Sequence, residues 1–337
     1  MNKALVISVV NLKGGVGKSV TSMNFAHALS IAGYKVLFVD TDHQGSSSEQ
    51  LGVLGNSTES DNMTKQEIVN MDLFKLYTQE VDISTYIRKT KYTNIDIIPN
   101  ARVAELIPFQ TETFDEYFKG CDYEDKDVAL YFNLESIKSK YDYIIIDGQP
   151  QDGRMTEVTL LASDHVITPI GADQFNLNTV ADVYSKITML NELYSEALSH
   201  KIEFKGFFIN QAIPKSESQQ MIKDYYFNSS LRDYFIDSPV RYSEAVASKS
   251  GIQGKMFIEY NKRANPSIDI LNLLVNVLDY TEYDDDGNIV LDENGNPVKH
   301  MYIDAKHKRN LKMNGITIFS EEDKQKQIKT GKREKEK

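Results

Sequence analysis

The stretch VVNLKGGVGKSVTSMNF, residues 9–25, sets two lysines around a run of glycines. Gly14, Gly15 and Gly17 allow backbone N–H groups to turn inward onto an anion, and a helix beginning at Lys18 would add its partial positive charge. In Gly14-Gly15-Val16-Gly17-Lys18-Ser19, Lys18 is placed to reach the β- and γ-phosphates of a nucleotide and the Ser19 hydroxyl to ligate Mg²⁺. A plain turn between strand and helix would explain the glycines. It would not explain a lysine and a hydroxyl in register behind them. Lys13, at the loop entrance, is an extra cation that a phosphate cradle does not require.

Acids fall where such a loop needs them. YIIIDG puts Asp147 at the end of an apolar run, where a carboxylate is costly unless it meets a cation. Holding Mg²⁺, directly or through water, is the role of such an acid beside a P-loop. VLFVDTDHQ puts Asp40 and Asp42 two residues apart, on one face if the strand continues. Two carboxylates there suit support of the Mg²⁺ shell and orientation of an attacking water. Exposed turn acids are the plainer alternative.

The elements that would position these groups are short apolar runs at 4–10, 35–40, 94–100, 141–147, 165–170 and 204–210. Helical patterns follow several of them, over 18–32, near 154–161, over 176–198 and over 217–231. Strands with little polar alternation, separated by helices, predict an α/β fold. Its sheet would be doubly wound and mostly parallel, with helices on both faces. Ligands of such sheets sit at the carboxyl ends of the strands, where the acids above fall. One P-loop domain is expected over 1–280, with helical or irregular insertions near 45–92 and 111–130. Residues 281–337 read as a C-terminal extension, hairpin-like around DDDGNIVLDENGNPV and then charged and disordered.

Composition narrows the class. The 337 residues are 41% hydrophobic, enough for a sizeable core, and the single cysteine, Cys121, excludes an internal disulfide or a cysteine cluster held by one chain. The chain runs from Met1-Asn2-Lys3 straight into an apolar strand, with no signal-peptide pattern and no membrane-length apolar run, so a cytoplasmic protein is expected. A net charge of −11 argues against a generally basic nucleic-acid coat but leaves room for a local patch. Residues 282–293 carry six acids and no base, and 305–320 carry four bases and no acid. Each reads first as solvated surface.

Lys-Gly-Gly-Val-Gly-Lys-Ser, residues 13–19, resembles the deviant Walker A motif of the ParA/MinD superfamily, in which a signature lysine precedes the glycines. Asp40-Thr41-Asp42-His43-Gln44-Gly45 is similar to that superfamily's D-x-D-P-Q-G segment, and residues 143–147 to its Walker B strand. Arg241-Tyr242-Ser243-Glu244-Ala245 resembles the R-L-S-E-A segment of ParA-type DNA partition ATPases, and the motifs keep the family's order over about residues 3–280. The resemblance implies ATP and Mg²⁺ as cofactors, cradled by residues 13–20. Lys13 would reach across a homodimer to the other subunit's nucleotide, while Lys18 and Ser19 serve their own. Asp42 would orient the attacking water, Asp40 support the Mg²⁺ shell and Asp147 act as the Walker B acid. Asn210 would read the adenine edge with Pro214 beside it, and Arg241 would help bind DNA non-specifically. The chain departs from the pattern at Leu12, at Val20 where many relatives have a second hydroxyl, at His43, and at Gly148-Gln149-Pro150.

Arg241, Lys249, Lys255, Lys262 and Arg263 give a basic bias between 241 and 263, opposed only by Glu244 and Glu259. Cations spaced along a surface give salt-sensitive, sequence-independent DNA binding. The resemblance therefore implies a DNA-segregation ATPase: an ATP sandwich dimer on the nucleoid, released by slow hydrolysis that a centromere-binding adaptor stimulates. With no long segment before the P-loop, an operator-binding helix-turn-helix is not expected. A MinD-like positioning ATPase on a membrane or scaffold is the alternative, but KQKQIKTGKREKEK, with one isoleucine in fourteen residues, makes a poor amphipathic anchor, and no membrane partner is expected. One cysteine argues against a metal-cluster carrier, and 19 dispersed tyrosines against a tyrosine kinase with a clustered tail. A metabolic ligase has no support beyond the P-loop.

Overall fold

The computed structural model describes residues 3–54, 63–71, 73–101, 128–171, 177–281, 299–301 and 305–314. From β1 (Leu5–Val9) the chain runs through the glycine loop into α1 (Lys18–Ala32), then β2 (Val36–Asp40) and the short helices α2 (Ser46–Gln50), α3 (Lys65–Asn70) and α4 (Leu73–Thr78). There follow β3 (Arg88–Lys89), β4 (Ile95–Ile98), α5 (Ala129–Glu135), β5 (Tyr143–Asp147), α6 (Arg154–Leu161), β6 (His165–Ile170), α7 (Leu177–Leu198) and β7 (Glu203–Ile209). The C-terminal part adds α8 (Glu217–Phe227), α9 (Glu244–Ile252), α10 (Phe257–Asn261), α11 (Asn265–Leu278), β8 (Asp279–Thr281), β9 (Lys299–Met301) and α12 (Ala305–Met313).

Seven strands form one sheet in the order β3-β4-β2-β5-β1-β6-β7. All pairings are parallel except that of the short edge strand β3 with β4. The central strands read as unbroken apolar runs because both faces are covered. Ile7, Val36, Phe38 and Ile145 pack on one side with Phe25 and Leu29 of α1 and Leu274 of α11. Val6, Leu37, Val39, Ile144 and Ile146 pack on the other with Leu76, Leu130 and Val158. From β1 the chain crosses to β2 on one side, and later strands β6 and β7 lie on the other. The carboxyl end of β1 is therefore the switch point where a doubly wound sheet opens a ligand crevice.

The pairing of β6 with β7 shifts register, Val166 opposing Phe204 but Ile167 opposing Gly206. Gly206 takes up the irregularity with φ of 128°, and a β-carbon there would run into the backbone carbonyl of Tyr234. Neither the strained φ nor a backbone neighbour can be relieved by a rotamer change. Gly206→Ala is expected to cost about 3 kcal/mol in urea unfolding. A change within about 0.5 kcal/mol, the usual range for a surface site, would refute this account of the bulge.

Helices α1 and α6 have the limits the sequence pattern predicts, and α7 is described from Leu177 to Leu198, the expected first residue Asn176 lying outside the described residues. The run expected over 217–231 stops at Phe227, because Asn228 and Ser229 close the last turn with N–H bonds to the Tyr225 and Tyr226 carbonyls three residues back. The stretch 111–130 lies almost wholly outside the described residues, as do Cys121, the turn residues 282–298 and the tail from 315. The basic stretch from 305, read as solvated surface, is instead a helix with one buried side. In α12, Leu311 is buried, Asn310 Nδ2 donates to the Ala32 carbonyl at 2.7 Å, and the His307 ring stacks on Tyr34 at 3.7 Å. Among the described residues no helix is long and apolar enough to cross a membrane.

Candidate nucleotide site

The loop between β1 and α1 is held from behind. Asn11, fully buried, donates from Nδ2 to the Pro169 carbonyl at 2.7 Å and accepts the Lys13 N–H on Oδ1 at 2.8 Å. Gly15 and Gly17 have φ of 77° and 85°, which turn the loop into the first turn of α1. A β-carbon at Gly17 would strike the Asn210 amide, so glycine is required there by space as well as by φ. The reason for that approach is a bond from Asn210 Nδ2 to the Val16 carbonyl, 2.8 Å. Gln211 Nε2 similarly reaches the Gly15 carbonyl at 3.1 Å. The end of β7 thus clamps the loop.

Lys18 is buried inside the loop, and its Nζ donates to the Lys13 carbonyl at 2.8 Å. Burial pulls its pKa below the ordinary lysine value, with Asp147 and Asp42 opposing the fall. A phosphate would meet this ammonium by replacing a neutral carbonyl partner. Ser19 is half-buried on the first turn, whereas Val20 is 39% exposed, so the side chain that replaces a hydroxyl there faces outward.

The strand register brings the acids together. Asp147 lies on the same rung as Asp40 on one side and Val9 on the other, so both carboxylates stand at the carboxyl ends beside the loop. Both are fully buried. Burial pushes the Asp147 carboxyl up to about 6, with the Ser47 and Ser19 hydroxyls pulling it back. Asp40 is pushed well above the ordinary range, first by burial and then by the Asp147 charge, against the Ser48 hydroxyl and N–H. Ser47 Oγ donates to Asp147 Oδ2 at 2.7 Å, and Ser48 Oγ and N–H donate to Asp40 Oδ2 at 2.7 and 2.9 Å. Asp42 is buried two residues on, its Oδ1 accepting the Gln44 N–H at 2.9 Å.

This donor set fits Mg²⁺ bound with a nucleotide. Two fully buried carboxylates, both raised by burial and Asp40 further by the Asp147 charge, are a site where a cation would be favoured. No cage of three or more His, Cys, Asp or Glu occurs among the described residues, and Mg²⁺ that keeps waters and phosphate ligands does not need one. Ser19, Asp40 and Asp147 are the residues that would hold it.

The other predicted residues fall into two groups. Asn210 joins the loop, while Pro214, four residues on, is exposed. Arg241 is tied to that same segment: Ala212 bridges Arg241, with the Tyr242 N–H donating to the Ala212 carbonyl at 2.8 Å. Its guanidinium does not simply face solvent. It grips Asp269 of α11 with two bonds of 2.7 Å, from Nε to Oδ2 and from Nη2 to Oδ1, leaving a side chain 37% exposed. Lys249 on α9 and Lys262 and Arg263 after α10 are exposed, and Lys255 is half-buried.

Sequence reasoning missed Asn11, Ser22, Ser47, Ser48 and Gln211. Ser22, whose Oγ lies 3.2 Å from Asp147 Oδ1 and 3.0 Å from the Lys18 carbonyl, carries no motif of its own. The Ser46-Ser47-Ser48 run directly after Gly45 was the available signal, since adjacent hydroxyls at a helix start are suited to hold carboxylates.

Residues 4–200 match the family described as an AAA domain. The sporulation initiation inhibitor protein Soj of Bacillus subtilis is 28% identical over 262 residues, covering 77% of this chain and 92% of that protein. Among solved structures, an ATP complex of a McdA variant from Cyanothece superposes with a TM-score of 0.63 at 18% identity, over 82% of this chain and 97% of the other. A plasmid partition protein of Borrelia burgdorferi bound to AMPPNP gives 0.53 at 23% identity, over 80% and 97%.

Proposed function

This chain belongs to the AAA domain family as a P-loop ATPase of the ParA/MinD type, and on that premise we propose that it is a DNA-segregation ATPase. In this reading it hydrolyses ATP slowly, dimerises around ATP, holds DNA non-specifically as the dimer and is released when an adaptor stimulates hydrolysis. The observation that carries it is the pair of buried carboxylates, Asp40 and Asp147, set on one rung beside a P-loop with lysines at both ends. That a 28% identical relative from Treponema pallidum is named a chromosome-partitioning ATPase, and the Borrelia neighbour a plasmid partition protein, supports the choice of cargo.

Bound Mg²⁺ would supply charge neutralisation at the β- and γ-phosphates. Lys18 would leave the Lys13 carbonyl for phosphate oxygens, and the loop N–H groups would take the rest. Asp42, on the rim of the buried pair, would orient water for in-line attack. The Lys13 N–H and carbonyl are both committed, to Asn11 and Lys18, which sets where its side chain leaves the loop for a second subunit. Arg241 connects to the same loop through Ala212 and Asn210, so a nucleotide-driven shift of Val16 has a short path to it.

The test is binding to a random-sequence DNA duplex with ATP, ADP and no nucleotide. The expected result is binding with ATP only, lost in Lys13→Ala while ATP still binds each monomer. Nucleotide-independent DNA binding would defeat the switch. Binding to anionic vesicles in place of DNA would move the protein to the membrane-positioning branch.

A further inference from the structure

Helix α12 lies outside every motif that identifies the P-loop domain, yet it is seated on α1 by a specific set of contacts. Leu311 is 1% exposed, Asn310 Nδ2 satisfies the Ala32 carbonyl at the end of α1, and His307 stacks on Tyr34 with an interplanar angle of 16°. These residues recur at helical spacing and commit one side of α12 to α1. Lys306, Arg309 and Lys312 are exposed, and none makes an ion pair among the described residues. At its end, the Asn314 carbonyl accepts a bond of 2.9 Å from Lys262 Nζ. That contact brings the C-terminal end of α12 to Lys262, and Asn314, Lys262 and Arg263 line a cleft of about 520 Å³ with His27, Ile258 and one acid, Glu259. Glu259 is occupied by the Tyr92 hydroxyl at 2.8 Å.

Such a surface suits a polyanion read through its backbone. Lipid is the poorer fit, because an interfacial helix needs a free apolar side and Leu311 of α12 is spent on α1. We propose that α12 is a second arm of the DNA surface, in which Lys306, Arg309 and Lys312 continue Lys262 and Arg263 and neutralise phosphates of duplex DNA without reading bases. This rests on the DNA-binding function proposed above and adds an element that the P-loop motifs do not contain. Because α12 rides on α1, whose first residue is Lys18, the arm is mounted on the helix that begins at the nucleotide.

The test uses the full chain with ATP and a random-sequence duplex, with affinity measured from 50 to 200 mM salt. Lys306→Gln/Arg309→Gln/Lys312→Gln is expected to reduce the slope of log affinity against log salt by about 2–3 and to weaken binding about 10- to 100-fold at 0.1 M. Its basal ATP hydrolysis and melting temperature should stay unchanged. Leu311→Ala, which loosens the seat without removing a charge, should weaken DNA binding together with thermal stability. A wild type that binds DNA and a triple variant with an unchanged salt slope would overturn α12 as an arm while leaving the proposed function standing. A wild type that binds no DNA in any nucleotide state would overturn both. Loss of vesicle binding in the triple variant, with DNA affinity intact, would overturn the assignment in favour of a lipid surface.

Discussion

Asp147→Asn is expected to make the nucleotide-free protein more stable at pH 8 and to reduce ATP hydrolysis at least about 100-fold. The two effects have one cause. The Asp147 carboxyl is fully buried beside a second buried acid, and burial holds its pKa near 6 in the folded chain. In the unfolded chain it titrates near 4. Between those values the folded state keeps a proton that the unfolded state has released, so stability falls as pH rises through this window and stays lower above it. The difference corresponds to about 2–3 kcal/mol, which the neutral amide would recover. Urea unfolding of wild type and variant at pH 4.5 and pH 8 measures it. The wild type should lose stability between the two pH values and the variant much less. Mg²⁺ with a non-hydrolysable ATP analogue should close the gap at pH 8 for the wild type alone. An apo Asp147→Asn protein less stable than wild type at pH 8 would show that the carboxylate is already well compensated without a ligand.

Lys18→Met is expected to weaken ATP binding at least about 100-fold, about 2.7 kcal/mol, by isothermal titration. The ammonium is buried, its pKa is depressed by that burial, and its hydrogen bond goes to the Lys13 carbonyl. A group held this way has little to lose when a phosphate arrives, because the desolvation is already complete in the free protein. The methionine fills the same space but leaves Asp42 and Asp147 without that charge. Because burial outweighs the attraction of those two acids and holds the Lys18 pKa below its ordinary value, Lys18→Met should not lose stability at pH 8 in the nucleotide-free protein. The double variant Lys18→Met/Asp147→Asn should be at least as stable as the wild type at pH 8 and should not recover ATP binding. ATP affinity within about tenfold of wild type in Lys18→Met would assign phosphate recognition to the loop amides and α1 instead.

Local patterns carried much of the fold and of the site. The strands at 36–40, 143–147 and 165–170 lie within the apolar runs read at 35–40, 141–147 and 165–170, which are buried on both faces, and α1 and α6 have the limits read from their helical patterns. The glycine loop was legible because its chemistry needs contiguous residues. The hydroxyls behind Asp40 and Asp147 were harder to see. Ser47 meets Asp147 across 100 residues of sequence, and no periodicity encodes such a pair. Arg241 was legible as a cation in a motif, but its grip on Asp269 requires α11 to pack against that segment. The basic run from 305 was read from charge alone. Only the seat of Leu311 and Asn310 on α1 shows which side of it is left for solvent.

By itself the amino-acid sequence determined the class of sheet, the phosphate loop with lysines at both ends, and acids placed at strand ends. Each depends on residues adjacent in the chain or repeating at the period of a strand or helix. Tertiary structure alone decided that Asp40 and Asp147 share a rung, that Asn210 clamps Val16, and that α12 lies on α1 beside Lys262. These join residues brought together by strand order and helix packing, where contact is settled by how whole elements bury their apolar faces.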